Sequence, residues 1–233
     1  MTYVTSDLHG FSLDKFLALL KQAEFCDKDE LYVLGDVIDR GEDGIKILRH
    51  LMTMKHAHLL LGNHEDMLLS CSFLFDEVNE DSLASVTDFE LRRLYNWKRN
   101  GAEPTIRALK ELTPAERQEI LDYVSDAPCY AWVTIGSRKF LLVHAGLGDY
   151  EKGKPIEEYS SYDLLWSRPQ LSDNYSYDFI TVFGHTPTAY YSKIYYGRMI
   201  KTSTWINVDT GAASGLAPML LRLDDLCEFY VKG

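Results

Sequence analysis

Two carboxylates and a guanidinium, Asp36, Asp39 and Arg40, fall within a five-residue span of the segment LYVLGDVIDRG at residues 31–41. Carboxylates can hold a divalent cation, and a guanidinium matches two phosphate oxygens at once, so this trio suggests an anion gripped by metal and arginine. Four other stretches repeat the pattern of an apolar run that ends in ligand chemistry: Asp7 with His9, Asn63 with His64, His144, and His185. Residues two apart in an extended segment point to the same side, which lets Asp7 and His9 grip one ion. Asn63 offers a neutral oxygen, and His64 offers either a ligand nitrogen or a proton. Taken singly, a histidine or aspartate past a strand reads as a turn or capping residue. Five such ends in one chain, carrying four of its seven histidines, are not accounted for by turns.

The inventory oversupplies one ion and suits two that share a bridging carboxylate. Two ions about 3.5–4 Å apart clamp a phosphoryl group and turn a water into a nucleophile near neutral pH. Imidazole, carboxylate and amide ligands suit manganese, iron or zinc, and the lack of thiolates argues against a structural zinc site.

Positioning these side chains requires strands. Apolar runs at 2–6, 31–34, 58–61, 139–143 and 179–183 each end in one of the ligand clusters, the place where open α/β sheets bind ligands. Gly35 is expected to let the chain turn and a ligand approach the backbone. A helix opens at Ser12 with Leu13, Phe16, Leu17 and Leu20 at helical spacing, and another covers about 43–54. Residues 70–127 read as a helical insertion with helices at 89–99, 102–112 and 113–124, the last opened by Thr113, Pro114 and Glu116 in capping-box order. Its expected role is packing and substrate shaping. Residues 130–135 and 139–143 form a hairpin around Gly136-Ser137, and strands follow near 190–196, 204–208, 219–223 and 228–231. The expectation is one α/β domain over residues 1–233.

Composition sets bounds. At 46% apolar and 25% charged residues the chain reads as a soluble globular protein. No run approaches the roughly 20 apolar residues of a membrane span, and no secretory signal opens the chain, so a cytoplasmic protein without membrane partners is expected. The net charge of -11 opposes nonspecific nucleic-acid binding. Cys26, Cys71, Cys129 and Cys227 lie far apart and read as reduced thiols.

The motifs Asp7-Leu8-His9-Gly10, residues 35–41 (GDVIDRG), Gly62-Asn63-His64-Glu65, Val143-His144-Ala145-Gly146 and Gly184-His185-Thr186-Pro187 resemble, in order, those of the PPP-type serine/threonine phosphatases within the calcineurin-like metallophosphoesterases. The resemblance spans residues 2–187, and the segment NVDTG at 207–211 is similar to the motif before the last strands. It implies a four-layer αββα sandwich with a dimetal centre at the strand ends. Asp7, His9 and Asp36 would hold one metal; Asp36, Asn63, His144 and His185 would hold the other, manganese being the expected ion. His64, oriented by Asp39, would protonate the leaving oxygen, and Arg40 would grip the phosphate, with Arg168 as a further candidate. Arg168, Ser6 and the Ala145-Gly146 pair depart from the eukaryotic pattern and resemble the bacterial and phage branch. Trp166 and nearby tyrosines are candidates for a substrate groove, and Asp209 is read as structural.

The function these features imply is hydrolysis of phosphomonoesters, foremost phosphoserine or phosphothreonine in proteins, by a hydroxide held between the two ions. The same motifs also serve bacterial hydrolases of diadenosine polyphosphates. That alternative calls for basic residues for several phosphates and an aromatic to stack adenine, which the insertion could supply. A catalytically dead metal-binding scaffold is opposed by the complete set of His64, Asp39 and Arg40.

Overall fold

The computed structural model describes residues 1–75 and 87–231, so part of the insertion read at 70–127 lies outside the described residues. Strands β1 (Thr2–Thr5), β2 (Glu30–Val33) and β3 (Ala57–Leu59) pair in parallel. The antiparallel strands β9 (Met219–Arg222) and β10 (Cys227–Tyr230) complete a sheet of order β10-β9-β1-β2-β3. The second sheet has the order β4-β5-β6-β8-β7, from β4 (Tyr130–Ile135), β5 (Arg138–Val143), β6 (Ile180–Phe183), β7 (Ile200–Lys201) and β8 (Trp205–Asn207). Within it β5, β6 and β8 run parallel, and β4 and β7 are antiparallel edges.

Val4, Leu34, Leu60, Phe140, Leu142, Val182, Ile206 and Leu221 fill the space between the sheets. Burial on both faces explains why β2 and β5 read as continuous apolar runs rather than alternating ones. Helices α1 (Leu13–Gln22), α2 (Gly44–Thr53) and α3 (Asn63–Ser70) follow β1, β2 and β3 and cover the outer face of the first sheet, where Phe16, Leu19, Ile47, Leu48 and Leu68 meet Tyr3, Leu31 and Val33. The insertion contributes α4 (Asp88–Arg99), α5 (Glu103–Lys110) and α6 (Pro114–Ser125), and its Trp97, Ile106, Leu109, Ile120 and Val124 join the same core. The expected capping box is present: the Thr113 hydroxyl accepts from Glu116 N at 3.3 Å while the Glu116 carboxylate accepts from Thr113 N at 3.0 Å. The outer face of the second sheet is covered more thinly, by loop segments with α7 (Ser161–Leu165) and α8 (Thr188–Tyr191). There Leu147, Ile156, Tyr159 and Leu164 pack on Leu141, Val143 and Phe183.

One expectation fails. The strand expected at 190–196 is instead the end of α8 and a 3-10 turn at Lys193–Tyr195. Tyrosine and isoleucine favour strands because they pack on a pleated surface, but Tyr190, Ile194 and Tyr196 are 73%, 73% and 63% exposed and meet no sheet. Gly35 adopts φ 79°, as the expected turn requires, and its missing side chain leaves room for the backbone of Gly62, with which a Cβ would collide.

Candidate active site

The ligand-bearing loops from the two sheets meet at one end of the molecule. Asp7 lies just past β1, and its Oδ2 accepts from the backbone N–H of His185, just past β6, at 2.9 Å. Asp36 is central. Its Oδ2 is 3.6 Å from His9 Nε2, its Oδ1 is 3.4 Å from His144 Nε2, and Oδ1 also accepts the backbone N–H of His64 at 3.0 Å. Asn63 Oδ1 sits 2.9 Å from His144 Nε2 and 2.8 Å from His185 Nδ1. Asp7 Oδ1 is 3.9 Å from His9 Nε2, so the expected ligands lie together around Asp36; the groups whose ligand atoms fall within 4.8 Å of one another are His9, Asp36 and His64, and Asp36, His144 and His185, so His64 rather than Asp7 joins the first.

Several features fit this cluster to cations. His9 Nδ1 faces the carbonyl of Ile38 at 3.2 Å, and His144 Nδ1 faces that of Leu34 at 2.6 Å. A carbonyl only accepts, so both rings carry hydrogen at Nδ1 and turn the Nε2 lone pair toward the acids, as metal-bound histidines do. Among the described residues His185 Nε2 is buried with no hydrogen-bond partner, a buried nitrogen that a ligand would satisfy. Burial holds the imidazoles neutral: it lowers His144, drives His9 well below the ordinary range, and takes His185 to about 2 with help from His144 and Arg168. Burial and then the neighbouring Asp7 and Glu65 push Asp36 well above its ordinary range. Neutral nitrogens among mutually repelling buried acids are a donor set that a divalent cation would satisfy.

Beside this cluster, His64 Nδ1 donates to Asp39 Oδ2 at 2.6 Å. Its Nε2 accepts from Arg40 Nη2 at 3.2 Å. The ring is also near enough to His9 and Asp36 to share a cation, but both of its nitrogens are engaged elsewhere. Arg40 and Arg168 are the exposed members of the group, so cationic side chains ring the mouth of an acidic floor. Arg168 donates to the hydroxyl of Thr186, next to His185, at 3.2 Å. Trp166 turns its ring edge-on to His185 at 6.0 Å. Among the nearby tyrosines, Tyr159 is buried and Tyr162 exposed. Asp209 is buried and bonds the N–H of Gly211 at 2.9 Å; burial and then the charge of Asp7 raise its pKa well above the ordinary range.

Sequence reasoning missed three participants. Glu65 is fully buried, and its carboxylate accepts the N–H groups of Asp36, Val37, Ile38 and Gly62 at 2.7, 2.9, 3.3 and 3.2 Å. Trp97 Nε1 donates to Asp39 Oδ2 at 2.7 Å, and the Thr105 hydroxyl donates to Asp39 Oδ1 at 2.6 Å. Glu65 was visible as the last residue of the Gly62-Asn63-His64-Glu65 motif, whereas Trp97 and Thr105 lie 58 and 66 residues from Asp39 and give no local signal. Backbone strain is a further signature. Nine non-glycine residues among those described have positive φ, and six of them are Asp7, His9, Asp36, Asp39, Arg40 and His185. Such conformations cost about 1–3 kcal/mol each and persist only where the surroundings over-determine them.

Two mixed sheets flanked by helices, with this ligand set at the strand ends, define a metallophosphoesterase. Residues 2–202 match the calcineurin-like phosphoesterase family, and the chain belongs to it. The symmetrical bis(5'-nucleosyl)-tetraphosphatase of Glaesserella parasuis serovar 5 (strain SH0165) is 38% identical over 103 residues, covering 42% of this chain and 38% of that protein. The protein of the same name from Buchnera aphidicola subsp. Schizaphis graminum (strain Sg) is 30% identical over 167 residues, covering 69% of this chain and 54% of its own length. The chain thus spans about half or less of these relatives. Among solved structures, a candidate diadenosine tetraphosphatase superposes with a TM-score of 0.64 at 18% identity, covering 100% of this chain and 93% of that one. The cold-active protein-tyrosine phosphatase of a psychrophilic Shewanella species gives 0.55 at 18%, covering 99% and 80%. At such identities the likeness speaks for the fold alone.

Proposed function

We propose that this protein hydrolyses dinucleoside polyphosphates, splitting a tetraphosphate bridge with water into two nucleoside diphosphates, and that it does so with two divalent cations, manganese foremost and iron or zinc as alternatives. Asp7, His9 and Asp36 would hold one cation and Asp36, Asn63, His144 and His185 the other. The pair would neutralise phosphate charge and activate a water. Arg40 and Arg168, exposed at the mouth, would bind phosphate oxygens, and His64, held by Asp39, would sit beside Arg40 at the leaving oxygen, delivering a proton where the leaving group requires one. The observation that carries the substrate class is the relationship to the symmetrical tetraphosphatases. It favours the dinucleotide over the phosphoprotein that the motifs first suggested. The insertion carries basic and aromatic residues of the kind such a substrate would call on: α4 exposes Arg92, Arg93, Lys98, Arg99 and Tyr95.

One observation favours the phosphomonoester reading. A built proton-delivery pair, His64 with Asp39, matters most for an alcohol leaving group. The test is to strip metal, restore Mn²⁺, and compare kcat/KM for diadenosine tetraphosphate with that for phosphoserine and phosphothreonine peptides. At least tenfold preference for the dinucleotide is expected; preference for the peptides reverses the assignment.

A further inference from the structure

We infer that Trp97 and Thr105 of the helical insertion are positioning residues for proton delivery: they fix the Asp39 carboxylate through which His64 is aimed, and thereby set how well esters with poor leaving groups are cleaved. The inference rests on the reading of His64 as the general acid.

Asp39 is fully buried with φ 69°, a conformation that needs outside support. That support comes from the insertion. The Thr105 hydroxyl both donates to Asp39 Oδ1 at 2.6 Å and accepts the Asp39 backbone N–H at 2.9 Å, so one side chain fixes carboxylate and backbone together. The indole N–H of the fully buried Trp97 donates to Oδ2, the oxygen that also receives His64 Nδ1–H. With each oxygen tied to the insertion, the carboxylate cannot rotate about its Cβ–Cγ bond, and the imidazole stays aimed. Between the two residues, the carbonyl of Gly101 accepts the backbone N–H of Arg40 at 2.8 Å. Trp97 lies in the last turn of α4, Gly101 in the turn and Thr105 in the first turn of α5, so this one helix–turn–helix presents to the site the supports of both the proton donor and the phosphate-binding arginine.

The step these contacts serve is simple. To act as donor, His64 must release Arg40 and take up a proton at Nε2 from solvent when substrate binds; as the bond from phosphorus to the leaving oxygen breaks, that oxygen keeps the electron pair and takes this proton, and the ring returns to the neutral form with Nδ1–H on Asp39. A leaving group that is stable as an anion does not need that proton, and one that is unstable does. A misaimed imidazole therefore costs rate in proportion to leaving-group basicity, a dependence that general loosening of the fold does not produce.

The experiment measures steady-state rates of the manganese-loaded enzyme on phenyl phosphate and p-nitrophenyl phosphate for the wild type, Trp97→Phe, Thr105→Val, Thr105→Ser and His64→Asn. In Trp97→Phe and Thr105→Val, kcat is expected to fall about tenfold more on phenyl phosphate than on p-nitrophenyl phosphate at similar KM, a part of the roughly 10²–10⁴ that a general acid contributes. Thr105→Ser, which keeps the hydroxyl, should recover most of the loss. Equal losses on both esters, or no difference between Thr105→Ser and Thr105→Val, overturn the inference. If His64→Asn itself shows no leaving-group dependence, the underlying reading of His64 as the general acid fails instead. Should Trp97→Phe not fold, the nearly isosteric Thr105 pair decides alone.

Discussion

Glu65→Gln is the substitution that most directly tests how the organising loop is held. The wild-type carboxylate takes two N–H donors on each oxygen: Asp36 and Gly62 on Oε2, Val37 and Ile38 on Oε1. Glutamine keeps one oxygen and turns an NH₂ toward two of these donors. A buried donor left without a partner costs about 1–3 kcal/mol, giving about 2–6 kcal/mol for two. Removing the buried charge offsets part of this, since burial outweighs the backbone donors of Asp36, Val37 and Ile38 and pushes the Glu65 carboxyl up to about 7. A net loss of about 3 kcal/mol is expected, which for a chain of this size lowers Tm by about 6–12 °C. Calorimetry and urea unfolding at pH 8 in EDTA measure this without metal linkage, and manganese titration of the folded variant should show weakened binding at the Asp36 half-sites. A Glu65→Gln protein within 1 kcal/mol of wild type, binding manganese normally, would falsify the claim that Glu65 holds the loop.

Asp36→Asn should lose bound metal and activity together, read by metal analysis of the purified protein and by initial rates. Arg40→Ala should raise the inhibition constant of inorganic phosphate about tenfold, the loss of one charged hydrogen-bonding group, with metal content unchanged; an unaltered constant removes Arg40 from phosphate binding. Glu30, on the far side of the molecule, is hydrogen-bonded by His58 at 2.6 Å and faces His56 at 3.0 Å. These contacts, that of His58 first, hold its carboxyl below the ordinary range. A depressed carboxyl contributes stability that is present above its unfolded pKa and lost as pH falls through its folded one. Thermal unfolding of Glu30→Gln should therefore differ from wild type at pH 7 and converge with it in acid. The group is over a third exposed, so the difference is at most about 1 kcal/mol.

The parts of the site that could be read from the chain were those with a local cause. Asp7, Asp36, Asn63, His144 and His185 each follow an apolar run, and a buried strand ending in a polar turn is a pattern carried by neighbouring residues. The strain was not legible, because Asp36 at φ 54° is imposed by Glu65 and Gly62, 29 and 26 positions on, rather than by anything beside it. Nor was the role of the insertion. Its helices announced themselves through Thr113-Pro114 and apolar spacing, but Trp97 reads as a core residue whichever polar group its indole N–H finds. The strand expected at 190–196 failed for the related reason that β propensity describes a surface to pack on, and no neighbouring strand provides one there.

The hydrogen bonds around Asp39 bear on substrate as well as on architecture. A phosphoanhydride splits to a phosphate oxygen whose last proton titrates near pH ~6, so at neutral pH it departs without assistance. The alkoxide of serine is far more basic and does not. If the protein acts on dinucleoside polyphosphates, the buried chain from Trp97 and Thr105 through Asp39 to His64 is needed for imidazole geometry beside Arg40 rather than for proton supply, and His64→Asn should reduce hydrolysis of diadenosine tetraphosphate by less than tenfold. If alkyl phosphates are the substrates, the same variant should lose on the order of 10² or more while retaining both metals. Measuring both substrates with this one variant separates the two readings by the chemistry of the bond being broken. A loss of 10² or more on the dinucleotide would mean that proton delivery limits cleavage even of an anhydride, and that the leaving-group argument for this site is wrong.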